Sequence, residues 1–224
     1  MKLVNSLIAA GFVAFISVAQ AGVIIGGTRV IYHGDKKETS LSVKNPDKLS
    51  YLIQSWVDSS ESGSGKAPFI ITPPLFRLGG TEENTLRIVR TGGNFPEDRE
   101  SMFWMNIKTI PASEKQDNAN TLQIAIKTRI KLIYRPQTLT AMPETLAKKL
   151  TWQRIGQKLT VTNPTPYYMN FSLVKIGNSM VKDATYVAPM SSSTFAIPAQ
   201  ATGQVSWTLI SDFGAAGNEY RAAL

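Results

Sequence analysis

Short runs in which apolar and polar residues alternate cover most of the chain. "GTRVIYHG" (27–34), "ETSLSVKNP" (38–46), "SYLIQSWVDS" (50–59), "FIITPPLFRL" (69–78), "NTLRIVRT" (84–91) and "ESMFWMNIKTIP" (100–111) are rich in β-branched and aromatic residues and bounded by Gly, Pro, Asn or Asp. With the opening stretch they make seven strand-like runs in roughly 115 residues, the rhythm of an antiparallel sandwich of immunoglobulin-like size. The pattern breaks near Thr138 to Pro143, where Pro and small polar residues gather, and "PETLAKKL" (143–150) has helix-forming composition. Strand-like runs then resume in "LTWQRI", "KLTVTNP", "YYMNFSLVKI", "ATYVAP", "STFAIP" and "QVSWTLISDFG". The expectation is all-β: two sandwich domains, 22–139 and 140–224. "DSSESGSGKAP" (58–68) reads as a flexible hairpin tip, because strand pattern continues on both sides.

The segment "NTLQIAIKTRIKLIYRP" (120–136) has the most regular alternation. Leu122, Ile124 and Ile126 share one face and Ile130 continues it, while Gln123, Lys127, Arg129 and Lys131 take the other. Two readings are open: a core strand with one wet face, or an edge that offers its apolar row to another protein.

The first residues stand apart. Lys2 supplies a positive start, "LIAAGFVAFISVA" is too short to span a bilayer comfortably, and Ala19-Gln20-Ala21 fits a cleavage site. Residues 1–21 therefore read as a secretory signal peptide in preference to a membrane anchor. The mature chain should be exported, without stable membrane insertion.

Composition removes most chemistry. The chain has no cysteine, so thiol catalysis, disulfides and cysteine-based metal sites are out. His33 is the single histidine, placed before Gly34-Asp35 where a turn is expected, so a histidine triad or zinc site has no partners. No phosphate-cradling glycine loop is present, and the few carboxylates lie in turn-like contexts. An enzyme is not expected, and nothing calls for a metal or cofactor. The formal charge of +8 points to an anionic partner. An exported address and the scatter of Lys and Arg argue against nucleic acid and for a carboxylate, an acidic protein face or a membrane surface.

Several segments together resemble the periplasmic chaperones of chaperone–usher pili. The most specific is "FPEDRESMFWMNIKTIPA" (95–112), with Asp98-Arg99-Glu100-Ser101, Trp104, Asn106 and Ile110-Pro111 in order. "GTRVIY" (27–32), "TPPLFRL" (72–78), "RIKLIYRP" (129–136), "NPTPYY" (163–168) and "SDFGA" (211–215) extend the likeness over essentially all of the mature chain. The short "SEKQDNA" loop (113–119) resembles the short-loop branch of that family.

The resemblance implies two immunoglobulin-like domains set as a boomerang and a periplasmic assembly chaperone that works without nucleotide. It implies 1:1 complexes with pilus subunits, whose own fold lacks a strand, and delivery to an outer-membrane usher. Strand lending of this kind is a known form of β-augmentation. On this reading Leu122, Ile124 and Ile126 form the donor strand. Arg29 and Lys131 clamp the subunit's terminal carboxylate, and Glu100, Arg135 and Asp212 form an interdomain ionic network. One tension accompanies it: Lys131 has the opposite parity from Leu122, which strand twist, a bulge, or a cleft beyond the groove would reconcile. The alternative is an exported fibre subunit of immunoglobulin-like fold, which would usually carry a disulfide and a single incomplete domain.

Overall fold

The alternating runs fold into strands whose buried positions follow the period of two. The computed structural model describes residues 22–60, 62–63, 65–112 and 122–224. The expected signal peptide and the 113–119 loop lie outside the described residues.

The first half contains β1 (Ile24–Ile25), β2 (Arg29–His33), β3 (Glu38–Lys44), β4 (Tyr51–Asp58), β5 (Phe69–Thr72), β6 (Leu75–Leu78), β7 (Glu83–Arg90), β8 (Ser101–Pro111) and β9 (Ile126–Arg135). They form two facing sheets, ordered β1-β3-β7-β5 and β2-β9-β8-β4-β6. Leu41 and Val43 from β3, Leu86 and Ile88 from β7, Met105 and Ile107 from β8, and Ile130, Leu132 and Tyr134 from β9 meet in one core. Facing sheets with inward alternation are the packing of a sandwich. All pairs are antiparallel except β2 with β9, which run parallel.

The second half contains β10 (Thr151–Ile155), β11 (Lys158–Asn163), β12 (Met169–Ile176), β13 (Ser179–Met180), β14 (Tyr186–Val187), β15 (Ser191–Ala196), β16 (Val205–Ile210) and β17 (Ala216–Ala222). They form a β10-β11-β15 sheet and a β13-β12-β16-β17 sheet, with β14 also on β12. A separate core gathers Trp152, Leu159, Val161, Phe171, Val174, Trp207 and Leu209.

Three local expectations differ from what forms. "PETLAKKL" gives a 3-10 helix, Pro143–Lys149, between two extended residues and without a side-chain cap at Met142. Seven residues closed by Thr145 N to Met142 O and Leu150 N to Ala147 O bonds are too few for stable α-helical turns. β17 was not expected, because an exposed edge strand carries little apolar signal; Tyr220 and Ala222 pack it against the second core, Tyr220 stacking on Trp207 with ring centres 5.9 Å apart. The donor segment is the third. The β9 ladder begins at Ile126, so Leu122 and Ile124 precede it, outside any strand.

Leu86 is fully buried at the centre of the first core. Leu86→Ala should cost about 2–5 kcal/mol in urea unfolding followed by tryptophan fluorescence.

Candidate functional site

The site starts from a mismatch in strand length. β2 pairs with β9 only over Arg29↔Lys131 to His33↔Arg135. β8 pairs with β9 over Ser101↔Tyr134 to Thr109↔Ile126. From Ile126 to Ile130, therefore, β9 is bonded on the β8 side alone, and among the described residues no strand covers its other edge. Leu122, Ile124 and Ile126 lie at this uncovered end, with 84, 63 and 53% of their surfaces exposed. They keep the parity of Ile130 and Leu132, which are core residues. The apolar row of the sandwich interior thus runs out past the end of the sandwich, where nothing among the described residues buries it.

The uncovered edge is braced from its outer face. Lys127 lies over the Trp56 ring at 5.1 Å and Arg129 over the Trp104 ring at 4.8 Å. Arg129 also pairs with Asp58 at 3.6 Å, and Asn106 donates to the same carboxylate at 2.9 Å. Stacked cations of this kind contribute a modest stabilisation at exposed positions.

Arg29 and Lys131 are register partners at the last residue pair before β2 leaves the edge. Both turn toward the second domain. Lys131 Nζ donates to Asn170 Oδ1 at 2.5 Å and lies 4.4 Å from the centre of the Tyr186 ring. Arg29 Nη1 donates to the Ile210 carbonyl at 3.4 Å, and its buried Nε has no hydrogen-bond partner. Burial lowers the pKa of Arg29, opposed by the charges of Asp212 and Glu144. A half-buried guanidinium with an orphaned donor gains from an added anion.

The parity question has a geometric answer. The register of β8 with β9 is unbroken from Ile126 to Tyr134, so no bulge intervenes. Lys131 belongs to the outer face, which looks into the cleft between the domains, and Leu122, Ile124 and Ile126 to the inner one.

Glu100, Arg135 and Asp212 come together as one network. Arg135 Nε donates to Glu100 Oε1 at 2.6 Å, and Nη1 and Nη2 donate to Asp212 Oδ2 and Oδ1 at 2.7 and 2.9 Å. Glu100 Oε2 accepts from Tyr168 N at 2.7 Å. Burial acts to lower the pKa of Arg135, yet its bonds to the two carboxylates outweigh it and hold the pKa above the ordinary guanidinium value. Burial pushes the Glu100 carboxyl up, against the pull of Arg135 and the Tyr168 amide. Asp212 is delivered by the β16–β17 turn, where Gly214 (φ +85) packs so near the first domain that an added Cβ would lie 2.5 Å from Thr28 Oγ1.

Asn170, Tyr186 and the Ile210 carbonyl were not anticipated from sequence. Asn170 carried a signal, being a polar residue inside the apolar "YYMNFSLV" run, and Tyr168 is its neighbour there. A backbone carbonyl carries none.

Comparison with known proteins bears on this arrangement. Residues 22–140 match the family described as "Pili and flagellar-assembly chaperone, PapD N-terminal domain", and residues 145–221 match "Pili assembly chaperone PapD, C-terminal domain". The chain is 48% identical over 212 residues to the chaperone protein FocC of Escherichia coli, covering 92% of each. It is 46% identical over 200 residues to the chaperone protein FimC of Escherichia coli strain K12, covering 88% of this chain and 82% of the relative. Among solved structures, it is similar to a chain from the complex of the Salmonella enterica SafA pilin with the SafB chaperone. The TM-score is 0.86 at 38% identity, covering 93 and 99% of the two chains. It is also similar to the E. coli chaperone DraB, with TM-score 0.82 at 41% identity, covering 91 and 96%.

Two substitutions separate the bracing from the exposed row. Arg135→Ala leaves Glu100 buried without its cation and should destabilise the protein by about 3–5 kcal/mol in urea unfolding. Ile124→Ser removes only exposed surface and should leave stability within about 0.5 kcal/mol of the parent.

Proposed function

The chain belongs to the pili assembly chaperones, and we propose that it binds pilus subunits by lending them the β9 edge. A subunit whose sandwich lacks a strand exposes an apolar groove and a row of unpaired backbone groups. The partner for such a groove must supply a free hydrogen-bonding edge and apolar side chains at every second position. The segment from Leu122 to Ile130 has both. The observation that carries this reading is that β2 stops covering β9 at the Arg29↔Lys131 pair. Cover ends, open edge begins and two cations stand together at one residue position.

In this reading Leu122, Ile124 and Ile126 enter the subunit groove, each gaining roughly 1.5–3 kcal/mol if fully buried, before association costs. Arg29 and Lys131 receive the subunit's terminal carboxylate on the outer face. The inner face and the cleft serve one ligand because a strand lying along the edge reaches both. The anchor fixes register: a slip of one residue would turn the apolar row away from the groove. A relative of similar structure, the SafB chaperone, is in complex with the SafA pilin. Glu100, Arg135 and Asp212 set the angle between the two domains, 22–139 and 140–224, and so the width of the cleft.

Family membership supports the wider setting. Residues 1–21 direct export and are removed, the mature protein works in the periplasm in 1:1 complexes, and loaded subunits pass to an outer-membrane usher. No helix among the described residues is long and apolar enough to cross a membrane. The role is non-enzymatic and uses no cofactor; folding energy released in the subunit drives the later exchange.

The test is capture of co-produced pilus subunit by the tagged chaperone. Arg29→Ala with Lys131→Ala should weaken capture by about 2–5 kcal/mol while the protein stays folded, and Ile124→Asp should abolish it while melting like the parent. Undiminished capture by the double variant would refute the anchor.

A further inference from the structure

A recess of about 580 Å³ opens in the cleft directly beside Lys131, walled by the second domain. It arises from a gap in a sheet edge. β12 is paired by β14 only at Met169 and Asn170, and by β13 only at Lys175 and Ile176. Between them the chain from Val181 to Thr185 bows away, tied at its ends by Phe171 N to Thr185 O and Val181 N to Val174 O bonds of 2.9 Å. On its other edge β12 bulges against β16, leaving Ser172 without a partner in the ladder. Leu173, Met180, Ala184 and Ile210 give the recess an apolar lining, and Lys182 and Asp183 stand among the lining residues as well.

One of the two proposed anchor cations lines this space, and the other is bonded to its wall. Lys131 lines it directly, and Arg29 donates to the carbonyl of Ile210, which lines it too. We propose that the recess receives the side chain of the bound subunit's terminal residue and selects a bulky apolar or aromatic one. The proposal rests on reading Arg29 and Lys131 as the carboxylate anchor. A carboxylate held there fixes its own α-carbon one bond away, so the terminal side chain must leave the strand within a few ångströms of Lys131. The directions open to it are few. On the first-domain side Trp104 stands opposite Lys131 in the β8 ladder, already covered by Arg129. Asn170 and Tyr186 hold the Lys131 head. The recess is open space that adjoins Lys131 directly. Its apolar lining with charged residues beside it suits a ring that carries one polar atom, so tyrosine or phenylalanine would fill it and glycine would leave it empty.

The recess would make the second domain a reader of client identity, whereas the edge of β9 bonds any extended backbone. The test uses short synthetic peptides of alternating valine and threonine with a free carboxylate, ending in tyrosine or in glycine, titrated against the purified protein by fluorescence anisotropy. The tyrosine-ended peptide should bind roughly tenfold tighter or more. Ser172→Trp and, separately, Thr185→Trp fill the recess from two walls, and each should erase that preference while leaving the glycine-ended peptide's affinity unchanged. Equal binding of both peptides, with both lost in Arg29→Ala plus Lys131→Ala, would overturn the recess and leave the anchor standing. No binding, or binding indifferent to that double substitution, would overturn the anchor and this inference with it.

Discussion

The arrangement depends on one strand being shorter than its neighbour. β2 covers five residues of β9 and then ends, so β9 is a central strand at its C-terminal half and an edge strand at its N-terminal half. Open edges with exposed apolar rows are ordinarily avoided, because they invite pairing with any other chain. Here the edge carries cation–aromatic stacks on its outer face and a continuous ladder with β8. The apolar row is an extension of the core's own inward face. A partner laid along it would continue the sandwich, which is what a protein lacking a strand requires.

The second domain gives that edge a stop. Arg135 sits between Glu100 in the first domain and Asp212 in the second, almost wholly buried with Glu100. Such a network is a weak source of net stability, because desolvation offsets most of the attraction, but it tolerates few geometries. Bidentate pairing of a planar guanidinium fixes direction as well as distance. The turn that carries Asp212 also brings Gly214 against Thr28, the residue before Arg29. One turn thus brings Asp212 to Arg135 and Gly214 to the residue before Arg29. Lys131 is positioned from the same side, by Asn170 and Tyr186.

Much of this was legible in the sequence. The all-β class followed from alternation, and the inward faces of β3, β7, β8, β9 and β16 are those the period of two marks out. Arg29, Lys131, Glu100, Arg135 and Asp212 were singled out by family resemblance, and they do come together in two clusters at the cleft. Alternation alone left Leu122, Ile124 and Ile126 undecided between core and open edge, because both give the same pattern. What decides it is where β2 stops, a matter of pairing and not of local sequence. β17 escaped notice for the opposite reason, since an exposed edge needs few apolar residues. The side of the second domain that faces Arg29 and Lys131 was illegible, because it depends on the Ile210 carbonyl and on a gap between β13 and β14.

The central claim is that the uncovered edge of β9 is the part that a client strand completes. Amide hydrogen exchange over residues 122–130 tests it most directly, comparing the free protein with its co-purified complex with a pilus subunit. Strong new protection of the alternate amides that point to the open edge, with little change from Lys131 onward where β2 already covers β9, is the expected result. Unchanged exchange at 122–130, with protection confined to another face, would contradict it.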